Sequence, residues 1–285
     1  MKNVGLVGIG LIGGSMVMDL KSRGYASQIL GVEKRVVNAE AALRLGLVDR
    51  VVSLEECVEQ SDVIIVSVPV SSAYDIISRA LETVQRIGGT EKVVLDVCST
   101  KWKLAERLKY HPCRKCFVST HPMAGTEYSG PWAAQPGLFD GRACIIADVQ
   151  ESAPEAVREV ESLYSILNMR IVYMNSDAHD VHTAYISHLS HVTSFALALT
   201  VLEKEKDEKH IFDLASGGFS STVRLAKSGP EMWAPIFSQN RDNLLHVIDE
   251  YMNNVQRIRD AIEDDDLDSI ANLIAEANRI KRILR

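Results

Sequence analysis

Val4-Gly5-Leu6-Val7-Gly8-Ile9-Gly10-Leu11-Ile12-Gly13-Gly14-Ser15 reads as an apolar strand that runs through a glycine turn into a helix. The spacing is one that seats a dinucleotide pyrophosphate. Gly8 permits the tight turn, Gly10 lets the backbone approach the pyrophosphate, and Gly13 lets the helix pack close to the strand. The helix N-terminus, with Leu11 and Ile12 between the motif glycines, then faces the anion. Glycines fall at this spacing in many loops, so context decides. Met16-Val17-Met18-Asp19-Leu20 continues as helix, Gln28-Ile29-Leu30-Gly31-Val32 reads as the next strand, and Glu33 ends it about 20 residues after Gly13. Glu33 is placed to bind the ribose 2′-hydroxyl. Its carboxylate repels a 2′-phosphate and favours NAD, while Lys34 and Arg35 directly after it keep NADP open. The competing reading is a Rossmann-like core that binds no nucleotide.

A chain of 285 residues with 46% hydrophobic and 24% charged content can bury a full core and is expected to divide into two domains. The formal charge of −7, with no basic block, argues against a general nucleic-acid binder. The apolar stretch after Lys2 superficially suggests a signal peptide, but it is glycine-rich and lacks a small-residue cleavage site. A cytoplasmic protein with no membrane partner is expected. Cys57, Cys98, Cys113, Cys116 and Cys144 form an odd, scattered set, so free thiols are the default. Cys113-Arg114-Lys115-Cys116, just after His111, could begin a zinc site. No second Cys pair follows, and structural zinc needs four ligands, so no metal is expected.

The first half alternates apolar runs with helical stretches: 62–68, 92–97, 116–120, 143–147 and, after a helix over 154–167, a last strand over 170–173. Near-continuous apolar strands separated by crossover helices imply a parallel sheet covered on both faces. The expected fold is α/β, a doubly wound dinucleotide-binding domain over 1–174 followed by an all-helical domain over 175–285. The helices are expected near 177–203, 211–227, 230–260 and 267–284. In the last of these Ile270, Leu273, Ile274, Ala277, Ile280 and Leu284 form an apolar stripe at helical spacing. Such a stripe packs within a domain or against a second copy, and a homodimer through these helices is expected. The charged run 203–209 reads as a solvated helix end.

In a doubly wound sheet ligands sit in the crevice at the carboxyl ends of the strands. Val68-Pro69-Val70-Ser71, Asp96-Val97-Cys98-Ser99-Thr100-Lys101 and Ser119-Thr120-His121-Pro122-Met123-Ala124-Gly125-Thr126-Glu127 all follow strands there, and would line the nicotinamide pocket. His121 is the strongest acid/base candidate, because imidazole titrates near neutrality and an alcohol oxidation needs an acceptor for the hydroxyl proton. Ser99, one strand over, could share that proton. Alternatively His121 caps its own loop. His188 and His191 are three apart on an expected helix, hence on one face. On the residues alone they read as a buried pair, or as metal ligands with His179 and His182, which repeat the spacing. No carboxylate pattern of a metal helix accompanies them.

These motifs, with His188-Leu189-Ser190-His191, Gly217-Gly218-Phe219 and Arg224-Leu225-Ala226-Lys227-Ser228-Gly229-Pro230-Glu231-Met232-Trp233, together resemble the prephenate/arogenate (cyclohexadienyl) dehydrogenase family of tyrosine biosynthesis. The resemblance covers nearly the whole chain. It implies NAD(P)-dependent oxidative decarboxylation of prephenate to 4-hydroxyphenylpyruvate and carbon dioxide, or of arogenate to tyrosine. Hydride leaves the ring carbon bearing the hydroxyl, carbon dioxide leaves the opposite carbon, and the ring becomes aromatic. By similarity His121 holds the ring hydroxyl and takes its proton, Ser99 fixes the imidazole and hydroxyl, and Arg224 binds a substrate carboxylate. A guanidinium suits that task because it grips carboxylate with two prongs. His188 and His191 orient the substrate side chain, Glu127 positions its neighbours or shapes the side-chain pocket, and Trp233 walls the site or belongs to the core.

Two positions depart from the family pattern. Ser190 stands where the family often has Pro, and Ser220-Ser221 where it often has Arg-Asp, which leaves the choice between prephenate and arogenate open. No regulatory ACT or chorismate mutase segment is expected, so tyrosine feedback would act at the active site. Two remoter readings are a β-hydroxyacid dehydrogenase or imino-acid reductase, whose usual base is a lysine on the helical domain, and a non-catalytic NADH-sensing regulator. A sensor has no need of a base and a carboxylate clamp.

Overall fold

The computed structural model describes residues 1–206 and 211–283. In chain order it contains β1 (Lys2–Val7), α1 (Leu11–Ser22), β2 (Ala26–Val32), α2 (Val36–Arg44), β3 (Arg50–Val51), α3 (Leu54–Gln60), β4 (Val63–Val66), α4 (Val70–Ile87), β5 (Val93–Asp96), α5 (Trp102–Leu108), β6 (Phe117–Pro122), β7 (Ala143–Ala147), α6 (Pro154–Ile166) and β8 (Arg170–Met174). Then come α7 (Ser176–Thr183), a widened π turn (Ala184–His188), α8 (Leu189–Glu205), α9 (Gly217–Thr222), a 3-10 turn (Arg224–Lys227), α10 (Pro230–Gln239), α11 (Arg241–Glu263) and α12 (Leu267–Ala277). Among the described residues no strand follows Met174.

The strands form one sheet in the order β3-β2-β1-β4-β5-β6-β7-β8. Strand order reverses between β1 and β4, and this places the glycine turn and the Val68-Pro69 link on either side of the switch point. Parallel pairing is regular there, with Val4 opposite Val63 and Val7 opposite Val66. Strand residues alternate between two cores. Val63, Ile65 and Leu95 pack with Met16, Leu20 and Tyr164 on one face, while Ile64, Val66 and Val94 pack with Ile77, Leu81 and Phe117 on the other. Burial on both faces explains why these strands read as unbroken apolar runs.

The expectation of a parallel sheet needs one correction, because β7 runs antiparallel to β6, with His121 opposite Ile145 and Pro122 opposite Cys144. A parallel return needs a crossover, usually helical, whereas 123–142 contains only a short 3-10 turn at Pro131–Ala133. β8 then pairs parallel to β7. The helix expected over 211–227 is also broken into short pieces around Ser216-Gly217-Gly218, and the one expected over 230–260 divides at Asn240. Asp207 to Lys209 of the charged run, and Leu284 of the apolar stripe, lie outside the described residues.

The chain forms two compact units, Met1–Asn240 and Arg241–Arg285. The first therefore holds both the sheet and the helices α7 to α10, beyond the end of the sheet at Met174. Side chains make that bond: Thr100 Oγ1 donates to Gln239 Oε1 at 2.6 Å, and Gln239 Nε2 donates to the Val70 carbonyl at 2.9 Å. The run Ser176–Glu205 has the length and mean hydropathy, 1.3, of a membrane-crossing helix. Its His179 and Asp180 are nevertheless buried, whereas Ile186, Leu199 and Leu202 are exposed. In the second unit Asp266 caps α12 by accepting from Ser269 N–H at 3.0 Å, and Arg257 pairs with Glu276 at 3.6 Å. The apolar stripe is largely open there, with Ile274, Ala277 and Ile280 exposed.

Candidate active site

At the switch point the glycines behave as their spacing requires. Gly8 has φ +87°, and a Cβ there would lie 2.4 Å from the Ser67 carbonyl oxygen. A Cβ on Gly13 would lie 2.7 Å from Leu6 Cδ1 and 2.9 Å from the Gly8 oxygen, so only hydrogen permits the close approach of α1. Around Gly10 the space is open among the described residues, with no heavy atom of theirs within 4 Å of an added Cβ and no side chain of theirs capping α1. Leu11 and Ile12 begin that helix, and Val68 and Pro69 link β4 to α4. Glu33 follows β2, its Oε2 accepting from Ile9 N–H at 3.2 Å and its Oε1 from Arg35 N–H at 2.9 Å. An uncapped helix start, an open glycine and a fixed carboxylate about 20 residues on fit a dinucleotide.

Two strands over, the rim is organised by a buried ion pair between Asp96 and Lys101, both fully enclosed. Asp96 also accepts from Cys98 N–H at 2.9 Å and Thr120 N–H at 3.0 Å, which ties the ends of β5 and β6 together. His121 sits at the end of β6. Its Nδ1 lies 2.8 Å from His179 Nε2, and His179 Nδ1 lies 2.8 Å from Asp180 Oδ1. Burial, followed by the neighbouring His179, Lys101 and His188, holds the His121 imidazole well below its ordinary titration range. Burial likewise lowers His179, against the raising effect of Asp180. Both rings are therefore neutral near pH 7, the state a general base requires.

Sequence reasoning found His121 but not its partner. Ser99 lies half-buried on the adjoining rim and, among the described residues, makes no hydrogen bond to His121; the imidazole is held by His179 instead. Nor does His121 cap its own loop, where Met123 N–H donates to the Ala143 carbonyl. Among the described residues the repeated histidine spacing does not make a cluster, since His179 is enclosed and His182 is exposed and bonded to Ala178 of its own helix. The adjacent His179-Asp180 pair at the start of a helix was the available signal.

Arg224 is set on its 3-10 turn by buried Ser194 of α8, whose Oγ donates to the Thr222 carbonyl at 3.0 Å and accepts from Ala226 N–H at 3.1 Å. Arg224 Nη1 meets Glu127 Oε2 at 3.1 Å. Glu127 is held below the usual carboxylate range by its own backbone amide and then by Arg224. His188, His191 and Trp233 come together as one aromatic group. His191 stacks on Trp233 at 3.4 Å between ring centroids, and His188 meets the same indole edge-on at 5.9 Å. Asn240 Nδ2 donates to His188 Nδ1 at 3.1 Å and to the Asp180 carbonyl at 2.7 Å, which links this group to the His179-Asp180 segment. Burial pushes His188 down to about 4. With Nδ1 accepting, its Nε2 carries the proton, and among the described residues neither that N–H nor Trp233 Nε1 has a partner. At 220–221, Ser221 Oγ donates to the Gly218 carbonyl of its own helix, so α9 offers hydroxyls where the family often has charges.

The family description "Prephenate dehydrogenase, nucleotide-binding domain" matches residues 16–173, and "Prephenate dehydrogenase, dimerization domain" matches residues 175–276. The prephenate dehydrogenase of Bacillus subtilis is 32% identical over 268 residues, covering 93% of this chain and 71% of that protein. Among solved structures, prephenate dehydrogenase from A. aeolicus in complex with hydroxyphenyl propionate and NAD+ aligns with TM-score 0.88 at 28% identity, covering 99% of this chain and 98% of that one. The arogenate dehydrogenase of Synechocystis aligns with TM-score 0.78 at 25% identity, covering 99% of this chain and all of its own (100%). With family matches that together run from residue 16 to residue 276, and so take in His121, Arg224 and Trp233, the chain belongs to the prephenate dehydrogenase family.

Proposed function

We propose that this protein catalyses the NAD-dependent oxidative decarboxylation of prephenate to 4-hydroxyphenylpyruvate and carbon dioxide. The observation that carries the proposal is a neutral imidazole, His121, held by hydrogen bonding at the carboxyl edge of the dinucleotide-binding sheet. Gly8, Gly10, Leu11, Ile12 and Gly13 would seat the pyrophosphate, Glu33 the adenosine ribose, and Val68 and Pro69 the wall beside the nicotinamide. NAD, when bound, supplies the hydride acceptor. His121 Nε2 takes the proton of the ring hydroxyl as that carbon loses hydride, and returns it to the oxygen once carbon dioxide has left and the ring is aromatic. The protein thus neither gains nor loses a proton over the cycle. Ser99, on the neighbouring rim, is assigned the hydroxyl of the substrate rather than the imidazole. Arg224 binds a substrate carboxylate, with Glu127 setting its position. His188, His191 and Trp233 enclose the side chain.

Residues 1–174 serve the dinucleotide and 175–285 the substrate and a second copy of the chain. The exposed Ile186, Leu199 and Leu202 of one helix and Ile274 and Ile280 of another support a homodimer, because apolar faces of this kind in a helical domain are ordinarily covered. A cytoplasmic location accords with five cysteines that are all buried and unpaired.

The test is NADH formation with prephenate and with arogenate as separate substrates, carbon dioxide release being measured in parallel. Turnover of prephenate with matched carbon dioxide supports the proposal. Turnover of arogenate alone would replace it with an arogenate dehydrogenase, an outcome that the neutral Ser220-Ser221 pair makes worth testing. No turnover of either would end it.

A further inference from the structure

Asp180 fixes more than its own helix. An ionised carboxylate can only accept hydrogen bonds, and Asp180 accepts three N–H groups. Lys101 N–H lies 2.8 Å from Oδ1, Trp102 N–H 3.0 Å from Oδ2, and His179 Nδ1 2.8 Å from Oδ1. His179 must therefore carry its proton on Nδ1. A neutral imidazole has only one N–H, so His179 Nε2 is a lone pair, and the 2.8 Å contact obliges His121 Nδ1 to donate to it. The same rule leaves His121 Nε2 unprotonated, and among the described residues no protein group bonds to it. The anchor is itself braced, since the Asp180 carbonyl accepts from Asn240 Nδ2 at 2.7 Å and from Thr183 Oγ1 at 3.3 Å.

We infer that His179 and Asp180 are positioning residues that hold His121 in the Nδ1–H tautomer, presenting Nε2 as the lone pair that takes the substrate's hydroxyl proton. The O–H bond breaks as the Nε2–H bond forms, and the bond reverses when the product oxygen recovers its proton. His179 and Asp180 exchange no proton in the cycle; they orient the ring and fix which nitrogen bears its resting proton. His121 would otherwise be free to carry its proton on Nε2, where it could donate but not accept.

The role in turnover rests on the dehydrogenase reading, but the tautomer does not. Nitrogen NMR of the full chain carrying isotope-labelled histidine, at neutral pH and without substrate, is expected to find His121 protonated on Nδ1 alone, its signals identified by their loss in His121→Asn. His179→Phe is expected to mix the two His121 tautomers and to lower kcat by about 10²–10⁴-fold with KM changed only a few-fold. His179→Gln, whose side-chain oxygen can accept from Nδ1–H, is expected to restore the single tautomer and most of the rate, which a merely structural role would not do. Wild-type His121 protonated on Nε2 would overturn the inference, and so would an unmixed tautomer in a folded His179→Phe protein. Wild type with the expected tautomer but no turnover of any cyclohexadienyl substrate would instead strike down the functional reading and support the positioning.

Discussion

Arg224 Nη1 donates to Glu127 Oε2 at 3.1 Å, so the cation assigned to the substrate carboxylate already holds an anion 97 positions away in sequence. The guanidinium is half exposed, with 51% of its side chain open to solvent, which leaves its other donors reachable. A carboxylate arriving there shares Arg224 with Glu127 or displaces it. Arg224→Ala is therefore expected to raise KM about 10–100-fold, the scale of hydrogen bonds to a charged group, with kcat changed little. Glu127→Gln weakens the anion that sets the guanidinium and is expected to raise KM a few-fold. Steady-state kinetics decide both: an unchanged KM in Arg224→Ala would dismiss the clamp, and a lowered KM in Glu127→Gln would make Glu127 a competitor for Arg224 rather than its support.

His121→Asn keeps a polar side chain of similar reach but no base. The expected loss is about 10²–10⁴-fold in kcat while substrate still binds, the scale of lost general-base catalysis. Because burial holds His121 well below its ordinary range, wild-type activity should persist as pH falls past that range and decline only when the ring is finally protonated. The pH profile of kcat/KM in the free enzyme checks the direction. An acid limb centred above the usual imidazole range would mean that a different group is being titrated.

What could be read from the sequence follows from what is local. The glycine turn, the strands buried on both faces and the place of Glu33 all depend on residues near one another in the chain, and all stand in the structure. β3 was missed because it is two exposed residues with no periodicity to read. β7 stands where an apolar run reads as a strand, but its antiparallel direction was not legible, because apolar runs look alike in either direction and only the missing crossover helix in 123–142 marked the reversal. His121 was legible as a rim residue. Its partner His179 was not, since a contact across 58 positions leaves no trace in spacing.

Glu33 offers its carboxylate with both oxygens steadied by backbone amides, from Ile9 and Arg35. A fixed carboxylate accepts from ribose hydroxyls and repels a 2′-phosphate. Glu33→Ser removes the repulsion while Lys34 and Arg35, both exposed, remain to meet a phosphate. The ratio of kcat/KM for NAD over NADP is expected to fall by roughly one to two orders of magnitude, as like-charge juxtaposition costs several kcal/mol. An unchanged ratio would show that discrimination resides elsewhere in the cradle.

His188 links the site to acid stability. It is fully buried, and burial pushes it from the ordinary imidazole value to about 4. Between those values the unfolded chain binds a proton at this ring and the folded chain does not, so stability falls as pH falls through the window. The contribution is complete above about pH 6.5 and is lost progressively toward pH 4. At about 1.4 kcal/mol per pH unit, the loss attributable to this one ring is about 3 kcal/mol across the window. Denaturant unfolding of wild type and His188→Gln at a series of pH values isolates it, because glutamine keeps a carbonyl that can accept from Asn240 Nδ2 but does not titrate. The variant is expected to lose less stability than wild type on acidification. Parallel curves for the two proteins would mean that His188 is protonated in the folded state at no cost, and that its burial does not set the acid limit.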